Sequence, residues 1–240
     1  GFGLEGYINV GADRFAAINP VFYASTDANP VAPRRQIVEM ANCNKCHYQL
    51  RMHGGGRTNP EYCVMCHNPM NTNDDRVARF ESSTIRVESV NFTAMTHKIH
   101  MGEKLTQPYV LGGYPAPNAA NPAGTPHNFG EVRFPGHQNV CTTCHVGDSY
   151  QIPLDAGVLP TRTEVLTCTE DPAADGDSYC NTRASTETFM PPIAAACTGC
   201  HDSPSTVAHA EVMTTSLGLE SCATCHSTGA AFDIDLYHAL

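Results

Sequence analysis

Apolar residues along this chain fall in short clusters between turn formers, and no long period is sustained. Residues 34 to 50, RRQIVEMANCNKCHYQL, read as helical up to a cysteine motif. NFTAMTHKIHMGEKL predicts a short helix with Asn91 or Thr93 as its cap, and PSTVAHAEVMTTSLG predicts another. Residues 1 to 33 hold two strand-like pieces, GLEGYINV and AINPVFYAS, broken by turn residues and by Pro20, Pro30 and Pro33. The stretch from 103 to 140, with GGYPAPNAANPAGTPHNFG, is poor in helix formers and predicts an irregular loop. No apolar run approaches the roughly 18 residues that a membrane helix needs.

Composition sharpens this picture. The 240 residues are 41% hydrophobic, with no tryptophan, 19 glycines, 17 prolines, 12 cysteines and 12 histidines. So thin an aliphatic supply implies that buried surface comes from disulfides, metals or large cofactors. A net charge of −10 argues against nucleic acid or an anionic membrane surface as the main partner. The start, GFGLEGYINV, has neither the basic end nor the apolar core of a signal peptide, and the expectation is a processed product or a segment of something longer.

Ten of the 12 cysteines stand in five motifs: Cys43-Asn-Lys-Cys46-His47, Cys63-Val-Met-Cys66-His67, Cys141-Thr-Thr-Cys144-His145, Cys197-Thr-Gly-Cys200-His201 and Cys222-Ala-Thr-Cys225-His226. This is the signature of covalent haem c attachment, and five copies imply five haems. Two thiols on one helical turn can each add to a haem vinyl group, and the following histidine is carried beneath the macrocycle to ligate iron. The competing reading is zinc, since Cys43-x-x-Cys46 and Cys63-x-x-Cys66 have zinc-ribbon spacing. Zinc does not require a histidine after every second cysteine, and five such hits by chance have odds of about three in ten million.

Five irons need five further ligands, and seven histidines lie outside the motifs: His53, His97, His100, His127, His137, His209 and His238. Every iron can therefore be bis-histidine without a methionine ligand. His97 and His100, three residues apart, project about 60° apart on one helix, which suits two neighbouring haems. His53 opens His-Gly-Gly-Gly-Arg, where the backbone can pass close to a flat macrocycle. His209 sits on the second predicted helix, and His238 would pin the end of the chain. His127 and His137 flank the turn-rich loop and read more readily as surface or supporting imidazoles.

Along the chain, two motif pairs flank a central third motif. Cys168 and Cys180 remain, and outside the cytoplasm their expected fate is a disulfide closing an acidic loop. That loop offers Asp175 and Asp177 to calcium but lacks the glutamate and spacing of an EF-hand. The expected fold is that of a multihaem cytochrome, haem-centred, with short helices and much irregular loop. Residues 1–33 form a small β-like arm, or the remnant of a preceding β domain, before a pentahaem domain at 34–240.

CNKCHYQLRMHGGGRTN, YCVMCHNP, MTHKIHMG, VRFPGHQNVCTTCH, PLDAGVLP, CTGCHDSP followed by AHAE, and CATCHSTG ending near a terminal histidine together resemble the outer-membrane decahaem cytochromes of the OmcA/MtrC type. The likeness is to their C-terminal pentahaem domain and covers about 34 to 240. It implies a cell-surface protein of β-barrel domains alternating with pentahaem domains, with bis-histidine haems in a staggered cross. It also implies electron delivery to minerals, metal chelates or flavins, and His53, His97, His100, His209 and His238 as distal ligands. The family proteins carry about ten haems, whereas this chain has five motifs.

An electron conduit is thus the leading expectation, with other redox proteins or copies of itself as partners. One alternative is the haem-chain subunit of a polymeric filament, with His127 or His137 donated between subunits. Another is an enzyme of the pentahaem nitrite reductase kind. That enzyme's open iron is usually marked by lysine in place of a motif histidine, and here all five motifs end in histidine, with Lys45 and Lys98 elsewhere.

Overall fold

The computed structural model describes residues 1–27, 29–73, 76–77, 84–171 and 179–238. In chain order the strands and helices are β1 (Phe2–Gly3), β2 (Tyr7–Val10), β3 (Asp13–Ala16), β4 (Val21–Phe22), α1 (Met40–His47), α2 (Pro60–Cys66), β5 (Thr84–Val87) and α3 (Phe92–Met101). There follow β6 (Val110–Gly112), β7 (Pro126–Asn128), β8 (Thr161–Cys168), β9 (Arg183–Met190), α4 (Pro192–Cys197), α5 (Pro204–Val212), α6 (Ala223–His226) and α7 (Ile234–His238). Two compact units emerge: Gly1–Asn68 with Asn139–Leu154 and His226–Leu240, and Pro69–Gln138 with Asp155–Cys225.

In the first unit, β1 pairs with β4 and β2 with β3, both antiparallel. The strand content of residues 1–33 differs from the pattern reading. Asp13–Ala16 is a strand that the pattern missed, whereas most of AINPVFYAS is irregular around Val21–Phe22. The segment is stitched down by Asn19, which is fully buried. Its Nδ2 donates to Gly56 O at 3.0 Å, its Oδ1 accepts from Thr58 N at 2.8 Å, and its carbonyl accepts from Asn59 Nδ2 at 2.8 Å. A buried amide satisfied on both ends specifies one register. At Gly3 a Cβ would lie 2.8 Å from Met65 Sδ, so β1 rests directly on α2.

The helix expected from residue 34 up to the first motif instead begins at Met40 and runs through the motif to His47. Residues before it are drawn into a tertiary pairing: Val38 bridges His145, and Val146 N donates to Ile37 O at 2.9 Å. Backbone groups committed to that pairing, in a β-branched Ile37-Val38 step, cannot also serve a helix.

The second unit is built on a three-stranded antiparallel sheet, β5-β8-β9. Pattern reading overlooked this sheet, although the alternating threonines of TRTEVLTC suit a half-buried strand. Glu164 of β8 is 2% exposed, and its carboxylate accepts hydrogen bonds from Thr72 Oγ1, from Ser185 Oγ at 2.7 Å and from Arg162 at 3.0 Å. A buried carboxylate persists only with such complete pairing. Within the stretch read as irregular, β6 and β7 form a small hairpin amid mostly loop.

Candidate haem-binding site

Each motif forms one helical turn. α1 carries Cys43, Cys46 and His47; α2 carries Cys63 and Cys66, with His67 at its C-cap. Cys141 opens a 3-10 turn, Cys197 ends α4, and α6 holds Cys225 and His226. The histidine N–H returns to the carbonyl of the first cysteine at 2.8 Å for His67, 2.9 Å for His145 and 2.8 Å for His201. Such a turn brings both sulfurs to one side with the imidazole one turn on. Asn59 caps α2 by accepting from Glu61 N at 3.1 Å, with Pro60 preset at the first position. Glu220 seats α4 by accepting from Ile193 N at 3.0 Å and Ala194 N at 2.7 Å.

Burial pushes the Cys63 thiol up to about 11 and moves Cys43, Cys141, Cys144 and Cys222 in the same direction. Burial of this kind opposes the thiolate that zinc ligation requires. Among the described residues, the one compact three-ligand grouping is Cys168, Glu170 and Cys180, whose two sulfurs are bonded to each other at 1.97 Å. Among the described residues the motif cysteines belong to no such grouping.

The imidazoles supply the test of fit. Nδ1 of His100 lies 2.8 Å from Thr96 O, Nδ1 of His226 lies 3.0 Å from Phe232 O, and Nδ1 of His238 lies 2.9 Å from Ile234 O. A carbonyl only accepts, so each Nδ1 carries the proton and Nε2 keeps its lone pair. His145 reaches the same state differently: its Nδ1 lies 3.2 Å from Ser149 Oγ, and the Ser149 hydroxyl donates to Ile37 O at 2.8 Å. Having given its own proton away, that oxygen accepts from Nδ1. Burial also lowers the pKa of His145, which favours the neutral ring. Metal-ligating histidines are held in this manner. These residues fit haem iron.

In the first unit His53 takes φ 51°, followed by Gly54 at 74° and Gly55 at 87°. The three left-handed residues turn the chain so that Met52 N meets Arg57 O at 2.9 Å. His53 and His67 then stand with ring centroids 5.8 Å apart. Two imidazoles bonded through nitrogen at about 2 Å to opposite sides of one metal have centroids about 6 Å apart.

The third motif packs on the first, through Asn42 Nδ2 to Cys144 O at 3.1 Å and the Val38–His145 bridge. Chain order, which sets the third motif apart from two pairs, is not the order in space. α7, with His238, is tied to the loop after this motif by Asp235, which accepts from Tyr150 Oη and from Gln151 Nε2, each at 2.8 Å. That bond raises the Tyr150 pKa.

In the second unit α3 carries both His97 and His100. Its cap is Asn91, which accepts from Thr93 N at 3.4 Å while its Nδ2 donates to Thr161 Oγ1 at 2.6 Å, fixing the helix to the sheet. Lys98 pairs with Glu88 at 2.6 Å and lies over the Tyr109 ring. Gln138 Nε2 donates to His100 O at 2.9 Å, and Phe134 meets the His100 ring edge-on. Gly199, inside the fourth motif, lies against His97: a Cβ there would be 2.8 Å from His97 Cβ. His209 sits exposed on α5, whose cap Ser203 accepts from Thr206 N at 3.3 Å. Cys222 and Cys225 belong to this unit and His226 to the first. His127 lies on β7 and His137 in a loop, both exposed.

Cys168 and Cys180 close the β8–β9 hairpin as a disulfide. Asp175 and Asp177, the calcium candidates, lie outside the described residues. Ser149, Asn42, Asn19 and Glu220 escaped sequence reading because no local motif announces a side chain whose partner is distant along the chain.

Paired thiols on a helical turn, a histidine at its end and imidazoles held for metal ligation define the c-type cytochrome class. The family model for outer membrane cytochrome MtrC/MtrF-like, domains II/IV, matches residues 35–239, and the chain belongs to that family. No curated protein and no solved structure matches it. Membership makes this an electron-transfer cytochrome with haem c, extracytoplasmic and at the cell surface, with redox partners. No helix among the described residues is long and apolar enough to cross a membrane.

Proposed function

We propose that the chain relays electrons through five haems c in a haem-centred fold of short helices and irregular loop, and delivers them to metal oxides, metal chelates or flavins. Each haem supplies a one-electron iron couple. The ten motif cysteines would hold the macrocycles as thioethers, and His47, His67, His145, His201 and His226 would ligate from the proximal side. His53, His97, His100, His209 and His238 are the distal ligands of this reading. Two histidines per iron leave no open position, which favours electron transfer over substrate chemistry.

The observation that carries the reading is the protonated Nδ1 shared by His100, His145, His226 and His238, which aims Nε2 at a metal. The first unit adds support: among its described residues the buried apolar side chains are Leu50, Pro60 and Ile152, while Tyr48, Met52, Met65, Phe232, Leu236 and Tyr237 are exposed. A unit with so small a core gains most from covering such side chains with large cofactors.

Intact mass and electron paramagnetic resonance of the oxidised protein test the proposal. The expected result is a mass five haem units above the polypeptide with low-spin iron throughout. A colourless protein, or a large high-spin fraction that binds nitrite, overturns it. Stopped-flow reoxidation of the reduced protein by ferric chelates and by flavin tests the acceptors.

A further inference from the structure

We infer that Ser149 is a positioning residue that sets the reduction potential of the haem held by the third motif, by acting as the hydrogen-bond acceptor for the Nδ1–H of His145. The inference rests on the reading of His145 as an iron ligand.

The hydrogen bonds run in one direction. His145 Nδ1–H donates to Ser149 Oγ at 3.2 Å, and the Ser149 hydroxyl donates to Ile37 O at 2.8 Å. Ile37 O is itself fixed, because it also accepts from Val146 N at 2.9 Å, beside the Val38–His145 bridge. The hydroxyl therefore has one orientation available, with its lone pairs toward the imidazole. A hydroxyl that donates to a carbonyl is polarised and accepts more strongly in turn. Drawing the N–H of a ligating imidazole toward an acceptor makes its other nitrogen a stronger donor to the metal, which favours oxidised iron and lowers the potential.

His145 differs here from the other three imidazoles with a fixed Nδ1. Their acceptors are the backbone carbonyls of Thr96, Phe232 and Ile234, which no side-chain change removes. At His145 the Ser149 hydroxyl accepts in addition to a hydrogen bond with the Ser149 backbone, and the hydroxyl is the part that the sequence can tune. The neighbours of Ser149 hold the same loop in place: Tyr150 and Gln151 both donate to Asp235, and the Tyr150 ring meets His145 edge-on at 5.9 Å.

The test is potentiometric titration of the holoprotein, followed optically and by electron paramagnetic resonance, for wild type, Ser149→Ala and Ser149→Thr. Ser149→Ala should keep the full haem mass and move one midpoint upward while the others stay. Ser149→Thr, which retains the hydroxyl, should restore the wild-type value. If every midpoint and every resonance of Ser149→Ala matches wild type, even with a lower melting temperature, Ser149 is only structural and the inference fails. Should that variant not assemble, Ser149→Cys keeps the volume with a weaker acceptor and should give a smaller upward shift; an unmoved midpoint there overturns the inference equally. Peptide mapping that finds no haem on Cys141 and Cys144 of the wild type also defeats it, but through failure of the proposed function, which the mapping identifies separately.

Discussion

His53 and His67 face each other with ring centroids 5.8 Å apart and planes inclined by 34°. That spacing suits one iron between them, and the proposed function takes His53 as a distal ligand. His53→Ala should convert one iron to a high-spin, cyanide-binding form while the haem mass is unchanged, because attachment depends on Cys63 and Cys66. Retention of every low-spin signal in this variant would refute the pairing.

Gly199 lies where any side chain meets His97, with a hypothetical Cβ 2.8 Å from His97 Cβ. Gly199→Ala should therefore push α3 away from the fourth motif, at a cost of about 1–3 kcal/mol from overpacking. Calorimetry of the holoprotein measures the loss, and a rise in the high-spin fraction should accompany it. A melting temperature equal to wild type would show that the contact relaxes freely.

Arg57 donates to Glu5 at 3.0 Å and holds the Glu5 carboxyl below its ordinary range. With the folded pKa below the unfolded one, this stabilisation is complete above the unfolded value and fades as pH falls through the folded value. Glu5→Gln should be less stable than wild type at neutral pH, with the difference vanishing in acid. Stability curves for the two proteins that stay parallel down to about pH 2 would contradict this.

The bond between Cys168 and Cys180 closes a loop with a sequence separation of 12. Closing a loop of that length contributes about 3 kcal/mol in the chain-entropy description. Replacing both cysteines by alanine should lower the stability of the holoprotein by that order without changing its haem mass. Mass spectrometry after alkylation of the unreduced wild type should find neither thiol labelled.

Much of the site is legible in the sequence because its chemistry is local. Cysteine, cysteine and histidine within one helical turn need only five consecutive residues, so a motif reads the same in any fold. The helices of His97, His100 and His209 are equally legible, since Asn91 and Ser203 cap them from the adjoining residue. The extent of the first helix is not legible. Ile37 and Val38 have helical neighbours in sequence, but their backbone groups are taken by Val146 and His145, more than a hundred residues on.

By itself the sequence determined the five Cys-x-x-Cys-His motifs, the seven histidines beyond them and the thin supply of aliphatic residues, because residue type and short spacing carry that information. Only the tertiary structure decided which residues serve the imidazoles. It brought Ser149 and Ile37 to His145, His53 to His67 and Gly199 to His97, and it placed the third motif on the first. These are pairings between distant segments, selected by the packing and hydrogen bonding of the folded chain, and no spacing within a motif encodes them.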